Sequence, residues 1–209
     1  MRIRLTFSKQ GALRYTGHLD LHTLIERAAR RAQLPLAYSQ GFHPTPKIQL
    51  ASALPLGFSS RAEMMDIWLT VDAEVSQLRD AFQSTLPRDI QISDIQIVDD
   101  RAPALQTQLI AAEYEATVSE EHASNLTSRL AALSEAESLP RVRRGKTYDL
   151  RALIESLEVA PADGSAKTRI FMRLAAREGA TGRPEEVLSA LDIPPEDVRV
   201  ERTRLIFQG

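Results

Sequence analysis

The 209-residue chain contains no cysteine. Disulfides, thiolate zinc sites, Fe–S clusters, thiol nucleophiles and redox switching are therefore excluded, and any metal needs His or carboxylate ligands. No cofactor is expected. Long apolar runs are also missing: no stretch approaches the roughly 20 residues that span a bilayer. The opening segment Met1-Arg2-Ile3-Arg4-Leu5-Thr6-Phe7 alternates charged and apolar residues instead of forming a signal-peptide core. A cytoplasmic protein with no membrane contact is the expectation. No Walker, GxGxxG, GxSxG or HExxH motif occurs.

Lysine is scarce too. Of 26 basic residues only four are Lys, and the rest are Arg, the residue whose planar fork suits phosphates and base edges. A GC-rich coding bias gives the same composition, so clustering carries more information than count. The net charge of −2 hides an uneven distribution, +6 over residues 1–50, −10 over 51–140 and +2 over 141–209. Arg27, Arg30 and Arg31 recur at helical spacing, and Arg141, Arg143, Arg144, Lys146 and Arg151 form a second knot with Asp149 as its only acid.

Hydrophobic periodicity predicts one pattern twice. Residues 2–8 read as a half-buried strand, with Ile3, Leu5 and Phe7 on one face and Arg2, Arg4 and Thr6 on the other. A helix opens at Thr16 or Gly17 and stops before Pro35. Residues 47–54 and 63–71 read as a hairpin pair, 74–86 as a helix, and 90–98 as a strand with a bulge. After the acidic junction Asp99-Asp100-Arg101-Ala102-Pro103, the order recurs: strand 113–118, helix 122–134, a region 146–159 ending in a strand, strand 168–175, helix 184–191 and strand 198–207. Residues 152–157 also fit a helical turn. The expected fold class is α+β, two tandem ferredoxin-like (βαββαβ) domains with antiparallel sheets, covering 1–100 and 109–209.

The segment Tyr38-Ser39-Gln40-Gly41-Phe42-His43-Pro44-Thr45-Pro46-Lys47 is incompatible with regular helix or central strand and predicts a rigid loop. Tyr38, Phe42 and His43 offer faces on which an unpaired base stacks, Gln40 offers hydrogen bonds, and Lys47 offers a phosphate charge. Packing of the two aromatics against the sheet is the alternative. His18 and His22 share a helix face, but Asp20 between them points away, so no metal is expected there. His18 or His43 can also be read as a general acid–base in phosphodiester cleavage. Arg143, Arg144 and Lys146 form a candidate phosphate clamp facing the 38–47 loop. Glu63 and Asp66 read as a carboxylate pair that positions a substrate, opposes the basic helix or forms a salt bridge at a strand start.

These residues resemble a known family, the radical SAM-associated (radical SAM-linked) domain of unknown function. The resemblance lies in Phe7-Ser8-Lys9, Leu13-Arg14, Gly17-His18-Leu19-Asp20-Leu21, Glu26-Arg27-Ala28, Arg30-Arg31-Ala32, Leu34 to Phe42, Pro44, Pro46-Lys47, Ala53 to Gly57 and Ala62-Glu63. It continues more faintly to Arg183-Pro184. The family loop often reads Gly-Phe-Asn-Pro-His-Pro-Lys, whereas here the imidazole sits two places earlier, at His43. The resemblance implies an RNA-linked setting and a separate radical SAM enzyme as partner. At the level of architecture alone, the doubled pattern is also similar to repeat-associated CRISPR RNA-processing proteins.

The expected function is an RNA-binding accessory protein that presents or recognises RNA through Arg14, Arg27, Arg30, Arg31, Tyr38, Gln40, Phe42, His43 and Lys47, with Arg143, Arg144 and Lys146 as further contacts, and that has no turnover of its own. Two alternatives stand beside it, a metal-independent endoribonuclease using His18 or His43 and a protein–protein adaptor without nucleic acid.

Overall fold

The computed structural model describes residues 1–143, 145–160 and 168–208. The chain divides into two compact units, Met1–Gln108 and Leu109–Gly209, both mixed α+β with antiparallel strand pairing. No described helix is long and apolar enough to cross a membrane.

The first unit runs β1 (Arg2–Lys9), α1 (His18–Arg31), β2 (Ile48–Leu50), β3 (Ser59–Trp68), α2 (Val75–Thr85), β4 (Ile90–Val98) and a short α3 (Leu105–Gln108). Its strands lie in the order β4-β1-β3-β2. Gly17 caps α1, and the helix ends well short of Pro35. Leu21, Ile25, Ala28 and Ala29 of α1, together with Leu78 and Phe82 of α2, close over Ile3, Leu5, Phe7, Met65, Ile67, Ile90 and Ile92 on one face of the sheet. The bulge expected in β4 falls at Ser93, where pairing jumps from Thr6↔Asp94 to Phe7↔Ile92.

In places the first unit differs from the sequence reading. The strand expected over 47–54 is only Ile48–Leu50: the Ala51 amide still donates to the Met64 carbonyl of β3 at 2.9 Å, but the chain bends at Ala51–Ser52, ahead of Pro55. The polar face of β1 is not solvated. Arg2 is 1% exposed and Asp66 0%, and the junction after Asp99 folds back over them: Arg2 donates from Nη1 to the Ala102 carbonyl at 2.7 Å and from Nη2 to the Pro103 carbonyl at 3.0 Å. Asp66 accepts from Arg2 Nη2 at 2.6 Å and from Arg4 Nε at 2.8 Å. Arg2 also lies 4.8 Å from the Trp68 ring centroid. Glu63 and Asp66 are no pair. Three apart on one strand, they point to opposite faces of the sheet, Glu63 level with Phe7 and Asp66 level with Arg4.

The second unit runs β5 (Leu109–Val118), α4 (Leu126–Glu135), a hairpin of β6 (Pro140–Arg143) and β7 (Lys146–Asp149), β8 (Ile154–Val159), β9 (Thr168–Arg177), a two-residue β10 (Ala180–Thr181), α5 (Pro184–Ala190) and β11 (Val198–Phe207). β5 lies between β11 and β9, and β8 pairs with the other edge of β9. The order β11-β5-β9-β8 thus repeats β4-β1-β3-β2, with the β6-β7 hairpin inserted between the first helix and the second strand of the pattern. Leu126, Leu130 and Leu133 of α4 and Val187 and Leu188 of α5 are buried. The helical turn weighed for 152–157 is confined to Arg151–Leu153, and the rest is strand. The helix expected from His122 starts at Leu126, after a separate 3-10 turn at Glu120–His122.

Breaking a buried charge cluster on one side leaves the remaining charges without compensation, at about 3–5 kcal/mol. Asp66→Ala is therefore expected to lower unfolding free energy by that order in urea denaturation, whereas Asp72→Ala, at an exposed aspartate, changes it by less than about 0.5 kcal/mol.

Candidate nucleic-acid interface

The loop after α1 is a hairpin-like excursion tied at its base by backbone hydrogen bonds. Leu36 and Tyr38 make bridge pairings with Leu69 and Pro46, the Ser39 amide donates to the Thr45 carbonyl and the Lys47 amide to the Ala37 carbonyl, both at 2.8 Å. The Ser39 hydroxyl accepts from the Thr45 amide at 3.0 Å. Gly41, with φ 130, lets the chain reverse at the tip, where a β-carbon would be strained. The tip residues Gln40, Phe42 and His43 all face solvent, and Phe42 is fully exposed. Phe42 does not pack against the sheet.

The base of the loop meets the basic end of α1. Arg30 lies 5.6 Å from the Tyr38 ring centroid and pairs with Glu26 at 2.8 Å. Arg27 and Arg31 share its side of the helix, are exposed, and have no ion-pair partner among the described residues. Arg30 and Arg31 also occupy the last turn, where cations favour the helix dipole. Beside the loop, Ser39, Thr45, Lys47, Gln49, Trp68 and the 100–104 segment enclose a cleft of about 480 Å³. Lys47 is exposed at its rim. Of the candidates, Arg30 and Tyr38 are in contact, Lys47 is tied by its amide to Ala37 next to Tyr38, Gln40, Phe42 and His43 lie at the loop tip, and Arg27 and Arg31 flank Arg30 on α1.

Arg14 is not part of this group. It sits on the 3-10 turn Gly11–Tyr15 beside the start of α1, and a helix of this length separates its two ends by roughly 20 Å. Its guanidinium donates to the Tyr15 hydroxyl at 2.9 Å and stacks 4.7 Å from that ring. His18 opens α1 at that same end. His22 donates from Nε2 to the Ile48 carbonyl at 3.2 Å, which ties its ring to β2. His43 makes no side-chain hydrogen bond among the described residues, so nothing orients it as a general acid or base.

In the second unit, Arg143 and Lys146 face each other across the β6-β7 turn. With Tyr148, Asp149 and the 179–181 turn they line a cleft of about 520 Å³. Arg144 lies outside the described residues. Burial is the main cause holding the Tyr148 hydroxyl above the ordinary tyrosine value, with the Glu186 charge and hydrogen bond adding to it and Arg143 and Arg183 opposing. An acid therefore already faces this basic cleft. Two arginines of β9 are neutralised as well: Arg173 pairs with Glu155 at 2.7 Å and Arg169 with Glu115 at 3.8 Å.

The chain belongs to a family described as "Uncharacterized protein conserved in bacteria (DUF2344)", which matches residues 2–184. No match is found among curated proteins. Among solved structures, one described as a "putative glycine cleavage system transcriptional repressor" is similar at 12% identity with a TM-score of 0.28, over 99% of this chain and 98% of that one. A likeness at that score carries no functional argument.

The basic hairpin yields a pH test. The Asp149 carboxylate accepts from the Leu139 amide at 2.8 Å and the Arg151 amide at 2.9 Å, and the Leu139 bond is the main cause holding it below the ordinary aspartate value. A depressed carboxylate stabilises the fold above its unfolded value and loses that contribution as pH falls through the lower folded value. Asp149→Asn is expected to melt below wild type at about pH 7, with the gap closing at about pH 2. Thermal melts at both values check this.

Proposed function

We propose that this protein is an RNA-binding accessory protein with two ferredoxin-like units. RNA docks on the surface formed by Arg27, Arg30, Arg31, Tyr38, Phe42, His43 and Lys47, and catalysis belongs to another chain. The observation that carries this reading is the fully exposed Phe42 at the tip of a backbone-pinned loop whose base, at Tyr38, meets Arg30 of the arginine-bearing end of α1. Exposing a phenyl ring to water is unfavourable, and a ring held out on a rigid, cationic platform suits an unpaired base, whose flat face stacks while its phosphate meets the guanidinium. The repeated strand order, 4-1-3-2 in each unit, supports the ferredoxin-like assignment.

On the first unit the sheet's second face is not the docking surface. Its centre is filled by Arg2, Arg4 and Asp66 and crossed by the 99–104 segment, so the loop and helix end, which remain accessible, are the surface assigned to RNA. Arg143 and Lys146 supply a separate basic cleft on the second unit. A radical SAM enzyme as the partner that receives the RNA is part of this proposal, and its support is the resemblance of the first third of the chain.

Titration of a labelled single-stranded RNA at several salt concentrations tests the reading. The double variant Arg27→Ala/Arg31→Ala is expected to reduce the magnitude of the log–log salt slope by about 1.4, at about 0.7 for each phosphate no longer neutralised. Phe42→Ala is expected to cost about 1–3 kcal/mol of affinity and leave the slope unchanged. Wild-type affinity in both variants would discard the surface. Cleavage of the RNA by wild type under chelator, lost in His43→Ala, would replace it with the nuclease reading.

A further inference from the structure

A second cluster, wholly within the second unit, escaped the charge pattern. β5 and β11 pair with Val118 opposite Val198, so the chain leaving β5 and the chain entering β11 stand side by side. Each forms a 3-10 turn there, Glu120–His122 and Pro195–Asp197. A backbone bond fixes each turn, from the His122 amide to the Ser119 carbonyl at 3.2 Å and from the Asp197 amide to the Pro194 carbonyl at 3.1 Å. His122 Nε2 lies 2.9 Å from Asp197 Oδ2. Glu121 adds a second carboxylate, and one ligand atom from each of the three residues lies within 4.8 Å of the others. The Ser119 hydroxyl donates to Glu121 Oε1 at 3.0 Å and steadies that side chain.

We propose that Glu121, His122 and Asp197 form a binding site for a zinc-type divalent cation. Two ligand atoms each about 2.0–2.2 Å from a tetrahedral ion stand roughly 3.3–3.6 Å apart, so the hydrogen-bonded His122–Asp197 pair, 2.9 Å apart, opens by only about half an ångström through side-chain rotation to admit one. The two carboxylates carry the charge that neutralises a dication. A neutral imidazole favours zinc and its first-row neighbours over magnesium or calcium, which take oxygen ligands. His122 and Asp197 are partly shielded, at 19% and 32% side-chain exposure, while Glu121 is exposed, so a fourth position opens to solvent. Binding displaces the proton shared between His122 and Asp197. The donor set is preorganised by strand register: no segment has to move to bring the two turns together.

The test uses the full-length protein, stripped with a chelator, dialysed and titrated with Zn²⁺ against a chromophoric competitor. One equivalent per chain is expected, with affinity lowered at least about tenfold in each of Asp197→Asn, His122→Gln and Glu121→Gln. Glu121→Gln changes an exposed side chain and keeps the test decisive if the other two variants fold poorly. One equivalent of Zn²⁺ is also expected to raise the melting temperature of wild type and not of Glu121→Gln. A wild type that fails to compete, or full affinity in Asp197→Asn and Glu121→Gln, overturns the site and leaves a plain His122–Asp197 ion pair. Equal binding of Mg²⁺ overturns the assigned metal class, and zinc lost only in His18→Gln/His22→Gln moves the ion to α1 and also overturns the proposal.

Discussion

A carboxylate shut off from solvent, Asp66, holds two arginines on the second face of the first unit's sheet. The net value of such a buried cluster against an apolar one is small, but removing a single member is costly. Its consequence is directional: Arg2, satisfied by Asp66 on one side, spends its other donors on the carbonyls of Ala102 and Pro103. The segment after β4 is thereby fastened across the sheet. That fastening forms one wall of the cleft beside Lys47 and Trp68. It also removes Arg2 and Arg4 from the inventory of charges open to a ligand.

Sorting the arginines by what they touch is more informative than counting them. Arg2, Arg4, Arg169 and Arg173 are engaged with acids, and Arg14 lies along its own tyrosine. Arg27 and Arg31 remain exposed at the end of α1, next to the Arg30–Tyr38 stack and the loop that lifts Phe42 into water. The two arginines of α1 without an ion-pair partner among the described residues therefore both lie in the C-terminal part of that helix.

Several features were legible in the residues alone. Alternation of Ile3, Leu5 and Phe7 placed β1, the spacing of Leu21, Ile25 and Ala28 placed the buried side of α1, and the glycine and prolines between Tyr38 and Lys47 excluded regular structure there. In the sequence Arg14 reads together with the helix arginines because sequence distance hides the length of the helix between them. Glu63 and Asp66 look paired at three positions' separation, but a strand's period of two sends them to opposite faces. The Glu121–His122–Asp197 cluster has little local signal, since His122 and Asp197 are 75 positions apart. Only the adjacency of Glu121 and His122 was there to be noticed.

The kinds of element, their doubled order, the chemistry excluded by the missing cysteine and the residues that build the projecting loop are written in the residues themselves. These follow from short-range rules: hydrophobic period, backbone restriction by Pro and Gly, and side-chain type. Tertiary structure alone decided which arginines are neutralised, that the 99–104 segment closes over the sheet, and that two distant turns bring an imidazole and two carboxylates together. Those outcomes depend on strand register, which pairs residues far apart in the chain and is fixed only when the whole sheet forms.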